Sequence, residues 1–153
     1  DNYIYILNVR FAGDIHFSKK VECDVENVRV PSMILQPVVE NAVNHGIRNI
    51  DWEGHIDLSV ERWNDHIEIS VRDNGLGMTG EQIQRVLSKK VHSSSGEGDS
   101  TGIGMNNVIS GLELYYERDG LMEIYSEGEG MGTEVVINIP LERSEKNVQN
   151  PDC

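Results

Sequence analysis

Positive charge is scarce in this sequence: 13 Lys and Arg stand against 26 Asp and Glu, for a net charge of −13 over 153 residues. Binding a nucleic-acid backbone depends on clustered cations, so this balance argues against nucleic acid as a partner. Cysteine is nearly absent. Cys23 falls on the apolar side of a strand pattern and Cys153 is the last residue, so the two form no disulfide framework and have no metal-ligand spacing. That usage is compatible with a reducing cytoplasm. Apolar runs extend only a few residues, far short of a membrane span, and no basic-then-apolar leader opens the chain, so this segment is expected neither to insert in a membrane nor to carry an export signal. No internal repeat is present. What remains, 38% apolar and 25% charged residues, is an ordinary globular mixture of the size of one domain.

The chain reads as three parts. Tyr3, Ile4, Leu7 and Phe11 recur at helical spacing, so residues 1–12 are expected to be a linker helix or the end of a preceding region. Residues 13–142 carry the domain, and residues 143–153 look like a frayed tail; the whole has the character of an excised piece. Within the domain, Ile15, Phe17, Val21, Cys23 and Val25 alternate with polar residues, which predicts a half-buried strand. Over residues 32–47, Ile34, Leu35, Val38, Val39, Ala42 and Val43 form one apolar stripe, the clearest helix, with Pro37 expected to bend it and Gly46 to end it. A hairpin follows, Ile56-Leu58-Val60 and Ile67-Ile69-Val71 about an Asn64-Asp65 turn. A helix near residues 80–90, a mobile loop from Ser93 to Ser100, a helix from about Met105 to Glu117 and two strands, Met122–Ser126 and Thr133–Ile139, complete the pattern. Alternating rather than continuously apolar strands predict a two-layer α/β (α+β) sandwich, with a mainly antiparallel mixed sheet and helices on one face. The glycines do not sit in the strand–turn–helix fingerprint of a Rossmann fold.

Three signals fall at element ends. Asn41 and His45 are four residues apart on the polar side of the 32–47 helix, and an amide oxygen is a hard neutral ligand suited to Mg²⁺. Asp73-Asn74-Gly75-Leu76-Gly77-Met78 follows a strand, where glycines permit close approach and a carboxylate can accept from an exocyclic amine such as that of adenine. Ser100-Thr101-Gly102-Ile103-Gly104-Met105 opens a helix, whose free N–H groups suit an anion. Each has a plain alternative: a solvated polar face, an ordinary turn, a flexible loop. Their order is what adds up.

The stretch from Ile34 to Ile47 resembles the N box of the LytS/YesM-type sensor histidine kinases, Asp73 to Met78 their G1 box, and Gly102 to Val108 their G2 box. Gly132-Thr133 before a strand ending at Pro140, and Arg10-Phe11 ahead of the first strand, are also similar to that family, over essentially residues 10–141. The resemblance implies the GHKL, or Bergerat, nucleotide fold with ATP and Mg²⁺ as its ligands. By that resemblance Asn41 would hold Mg²⁺, and Asp73 would bind the adenine amine. Gly75, Gly77, Met78 and Thr133 would line the base. Gly102, Ile103 and Gly104 would lie under the phosphates, Asn44 and His45 would lie near them, and residues of about 88–101 would form a lid. Glu40 would be the polar or basic group assisting transfer, or simply a solvent-facing carboxylate.

Two departures stand out. Asn44 occupies a position that is often Lys in related kinases, with Arg48, Lys89 or Lys90 as the available substitutes, and residues 79–101 contain no Phe where a Phe-rich lid motif would be. Related ATPases and protein-serine kinases place a catalytic Glu four residues before the metal-binding Asn; here that position is Pro37, which favours histidine phosphorylation over water hydrolysis. Of the five histidines, only His16 precedes the N box, and it sits in a strand pattern; His55, His66 and His92 read as solvated. The phosphoacceptor is therefore expected outside this chain, on a histidine-bearing dimerisation domain of the same receptor, with a response-regulator receiver domain as the indirect partner. A cytoplasmic domain of a membrane receptor, monomeric alone and dimeric in its parent, is what the resemblance implies. A nucleotide-binding module without transfer activity and a GHKL ATPase are the rival expectations.

Overall fold

The computed structural model describes residues 15–21, 34–47, 50–88 and 100–141. Its frame is the expected hairpin. Strand β2 (Gly54–Arg62) and strand β3 (His66–Asp73) pair antiparallel, with Ile56 opposite Asp73 and Leu58 opposite Val71. Because side chains alternate, Ile56, Leu58 and Val60 of β2 share an inner face with Ile67, Ile69 and Val71 of β3, while Asp57, Glu61, Glu68 and Arg72 lie on the other face. Strand β1 (Ile15–Val21) adds to β2 in parallel, and its expected continuation through Cys23 and Val25 lies outside the described residues. Strands β4 (Met122–Tyr125) and β5 (Thr133–Pro140) complete a five-stranded sheet ordered β1-β2-β3-β5-β4, antiparallel but for one pair. The mixed, mainly antiparallel sheet is as expected.

Helices cover the inner face. Helix α1 (Leu35–Asn41) runs into a π-helical turn (Ala42–Ile47), helix α2 (Gly80–Leu87) follows β3, and helix α3 (Ser100–Tyr116) packs against both α1 and α2. One apolar core joins Val38 and Val43, Val86, Met105 and Leu112 to Ile56, Ile67, Ile137 and Ile139 from the sheet.

Two local expectations need correction. Pro37 is the third residue of α1, among the first N–H groups that have no partner within a helix, so it removes no intrahelical bond there. The irregularity falls instead in the second half of the stripe, where the chain widens to π geometry. The last helix begins at Ser100, earlier than Met105, so Ser100 and Thr101 are its first residues rather than part of a loop. Helix α2 starts with a capping box: the Thr79 hydroxyl accepts from Gln82 N–H at 3.2 Å and the Gln82 side chain accepts from Thr79 N–H at 2.9 Å. Residues 89–99, which hold most of the expected lid, and both cysteines lie outside the described residues.

Candidate functional site

Asp73 is the last residue of β3 and faces inward, directly opposite Thr133 at the start of β5. Both are buried, Asp73 to 6% exposure. Its carboxylate accepts from the Gly75 N–H at 2.9 Å and from the backbone N–H of Thr133. Burial pushes the carboxyl up from 3.8 to about 6, and those two hydrogen bonds hold it from rising further. At neutral pH the acid is therefore mostly ionised, an acceptor in a nearly dry place.

The chain around Asp73 approaches it closely because glycines allow it. A Cβ on Gly46, in the π-helical turn, would stand 2.7 Å from the Asp73 Oδ1, and one on Gly75 would stand 1.9 Å from the Gly46 carbonyl oxygen. Leu76 N–H donates to that same Gly46 carbonyl at 2.8 Å. On the opposite side, the Gly130 N–H donates to the Leu76 carbonyl at 2.7 Å and the Gly132 N–H to the Gly75 carbonyl at 3.1 Å. Gly77 has a φ of +75°, and a Cβ there would meet the Gly128 carbonyl oxygen at 2.1 Å. Asn74 ties the turn to the start of β2: its amide accepts from His55 N–H at 2.7 Å and donates to the Glu53 carbonyl at 2.8 Å. The Trp52 indole N–H donates to the Asn74 carbonyl at 2.8 Å. Asp73, Gly75, Gly77 and Met78 are thus brought together with Thr133, which is distant in sequence.

The second half of the expected site has a different character. Asn41 ends α1 with its side-chain oxygen buried and without a hydrogen-bond partner. A buried amide oxygen left unpaired costs about 1–3 kcal/mol, so its persistence points to a ligand that it accepts from or coordinates. Such an oxygen fits Mg²⁺, which needs only one or two protein ligands. No group of three His, Cys, Asp or Glu side chains suited to a metal occurs among the described residues. Glu40, half-buried, accepts from Gln36 Nε2 at 3.3 Å, and Asn44 is exposed. The side chain of His45 and residues Arg48, Lys89 and Lys90 lie outside the described residues. Gly102, Ile103 and Gly104 fall in the first turns of α3, at its N-terminal end.

Three residues carry no assigned role in the motif reading. Gly46 looked like a helix stop yet presses on the Asp73 carboxyl. Asn106 in α3 has a second buried side-chain oxygen without a partner. Ser126, just beyond β4, binds both glycine turns through its hydroxyl. Gly46 and Asn106 lie inside the stretches that resemble the N and G2 boxes, whereas Ser126 lies outside every such stretch.

Known proteins resemble this chain in sequence and in fold. The family described as histidine kinase-, DNA gyrase B-, and HSP90-like ATPase matches residues 30–143. The chain is 31% identical over 150 residues to the sensor histidine kinase YpdA of Escherichia coli, covering 94% of this chain and 23% of that protein. It is 29% identical over 145 residues to the sensor histidine kinase/phosphatase LytS of Staphylococcus aureus, covering 94% and 24%. The chain thus spans about a quarter of the length of these curated relatives. Among solved structures, the catalytic domain of histidine kinase ThkA superposes with a TM-score of 0.64 at 18% identity, covering 91% of this chain and 90% of that one. The mycobacterial sensor histidine kinase MprB gives 0.62 at 19% identity, covering 92% and 90%. With the family model spanning most of the sheet and all the described helices, the chain belongs to the histidine kinase-, DNA gyrase B-, and HSP90-like ATPase family, and its fold is that of histidine kinase catalytic domains.

Proposed function

We propose that this chain is the ATP-binding catalytic domain of a sensor histidine kinase, transferring the γ-phosphoryl group of ATP to a histidine on a separate dimerisation domain for relay to a response regulator. The observation that carries the reading is the buried, ionisable Asp73 carboxylate, fixed by the N–H groups of Gly75 and Thr133 and hemmed by Gly46. An acceptor held this way reads an N–H donor, and the exocyclic amine of adenine is one. Asn41 would hold Mg²⁺ through its side-chain oxygen. Magnesium, when bound, would neutralise and orient the phosphates. The free N–H groups at the start of α3, with Gly102, Ile103 and Gly104, would cradle those phosphates without needing many cations, which an acidic chain lacks.

Kinase rather than hydrolase is supported at α1. Pro37 lies one turn before Asn41 on the same helix, at the position from which a carboxylate could activate water, and it has no basic group. Glu40 shares its carboxylate with Gln36 and is the polar group nearest in sequence to Asn41. The acceptor is assigned to another domain because His16, His55 and His66 sit on strands, while by the resemblance His45 and His92 belong to the nucleotide site and its lid. No helix among the described residues is long and apolar enough to cross a membrane, and the proposed setting is the cytoplasmic side of a membrane receptor, dimeric in its parent.

Calorimetric titration with Mg-ATP tests the central claim. Saturable binding is expected, weakened more than about tenfold by Asp73→Ala, since a charge-assisted hydrogen bond contributes about 1.5–3 kcal/mol. Absence of binding at millimolar nucleotide would overturn it. Adding the histidine-bearing segment with γ-labelled ATP should yield phosphohistidine; binding without transfer would reduce the chain to a nucleotide-binding module, and rapid phosphate release by the domain alone would mark an ATPase.

A further inference from the structure

Ser126 lies between β4 and the glycine-rich turn that leads to β5, outside every motif discussed above. A hydroxyl has one hydrogen to donate and two lone pairs, and here all three are used. Ser126 Oγ donates to the Gly132 carbonyl at 2.6 Å, accepts from the Met78 N–H at 3.0 Å and accepts from the Gly128 N–H at 3.4 Å. The side chain is half-buried, so water does not readily replace it.

The Gly132 carbonyl and the Thr133 N–H belong to the same peptide group. Peptide planes are rigid, and in a trans peptide the carbonyl and the N–H point to opposite sides; this chain has no cis peptide among its described residues. The Ser126 hydroxyl therefore grips one side of the plane whose other side faces Asp73 across the strand pair, where its N–H favours the charged carboxylate. Drawing electron density toward the carbonyl oxygen also makes that N–H a better donor, as hydrogen bonds in series do. The same hydroxyl fixes Met78, directly after Gly77, where the backbone passes so near Gly128 that a Cβ would stand 2.1 Å from its oxygen.

We propose that Ser126 is a positioning residue for base recognition, aiming the Gly132–Thr133 peptide at Asp73 and clamping the two glycine turns around the base. This rests on the reading of Asp73 as the group that binds the adenine amine. Ser126 itself touches no nucleotide in this scheme. Its influence should therefore appear in which base is bound and not in how tightly the phosphates are held.

The test compares binding of ATP and of inosine triphosphate, which carries an oxygen where adenine has its amine, by calorimetry on the whole chain. Ser126→Ala should weaken ATP about tenfold and leave inosine triphosphate nearly unchanged, so that the ratio between them collapses. Ser126→Thr, which keeps the hydroxyl, should restore the ratio. The acidic limb of ATP binding should also move to higher pH in Ser126→Ala, because Asp73 has lost part of what holds its carboxylate. In an Asp73→Ala background, Ser126→Ala should add no further loss. Should Ser126→Ala not fold, Ser126→Cys, a weaker donor of similar size, is expected to give an intermediate ratio. Equal weakening of both nucleotides, or losses that add to those of Asp73→Ala, would show a merely structural role and overturn the proposal alone. An Asp73→Ala protein that binds ATP as well as wild type would overturn the reading of Asp73 and the proposal with it.

Discussion

The Asp73 end and the Asn41 end of the site solve opposite problems. Around Asp73 the buried side-chain polar atoms of the described residues have partners: backbone N–H groups at the carboxylate, a saturated Ser126 hydroxyl, and a clamp of side-chain and backbone bonds through Asn74. At Asn41 a buried oxygen has none, and neither has that of Asn106 on the neighbouring helix. The first region is finished before a ligand arrives. The second is complete only with one. On the proposed reading, a preorganised base pocket beside an unsatisfied metal position would place specificity in the fold itself and leave charge neutralisation to be supplied with the nucleotide.

The contrast can be broken most severely at Gly75. Its Cβ position lies 1.9 Å from the Gly46 carbonyl oxygen and 2.1 Å from the carbonyl carbon, both backbone atoms that cannot rotate aside. Gly75→Ala should cost about 3 kcal/mol or more by overpacking, and it should abolish nucleotide binding. Gly111→Ala is the control. Gly111 is exposed within α3 with nothing within 4 Å of the added carbon, so it should stabilise the protein by up to about 1 kcal/mol. Chemical denaturation of both variants measures the difference; two equal and small effects would mean that the turns around Asp73 are looser than their geometry implies.

Acidification separates the two regions next. The folded protein holds the Asp73 proton up to about 6, against 3.8 for the ordinary carboxyl, so between those values the folded state binds more protons than the unfolded one. Asp73 therefore destabilises the ligand-free protein above about pH 6, and that penalty, on the order of 3 kcal/mol, is relieved as pH falls toward 4. Taking the difference between wild type and Asp73→Asn cancels the other carboxylates. The variant should be the more stable protein at pH 7.5, with the gap closing by pH 4. ATP affinity should run the other way in wild type, declining as the carboxylate is protonated through pH 6. A pH-independent gap would mean that the carboxyl is better solvated than its burial indicates.

These regions were not equally legible in the sequence. Alternation of Ile56-Leu58-Val60 and Ile67-Ile69-Val71 fixes both strands and their inward faces, and the glycine spacing after Asp73 marks a turn with close approach. Local periodicity carries that information because it records burial. The pairing of Asp73 with Thr133 joins residues 60 apart, which no local pattern encodes and only the resemblance suggested. The π-helical turn was hidden for a related reason. Its apolar stripe reads as ordinary helix, while the widening is tied to a tertiary contact, Gly46 against Asp73 and Leu76. Ser126 was invisible because a lone serine after a strand has no signature until its three partners are in place.

The finest test lies at Asn41, where the expected stability change is smallest. If its buried oxygen is unsatisfied in the ligand-free protein, replacing it with a nearly isosteric apolar group removes a desolvation penalty and costs no hydrogen bond at that atom. Asn41→Leu should thus be neutral or more stable by about 1 kcal/mol in the absence of nucleotide. The same change should remove the dependence of ATP affinity on Mg²⁺, so that titrations with and without the ion coincide. Asn41→Asp offers the opposite substitution, a charge in a buried place that should destabilise the free protein and be relieved by the ion. A large loss of stability in Asn41→Leu would show that the amide is structurally engaged, and the distinction between a finished pocket and an open one would fail at the atom on which it most depends.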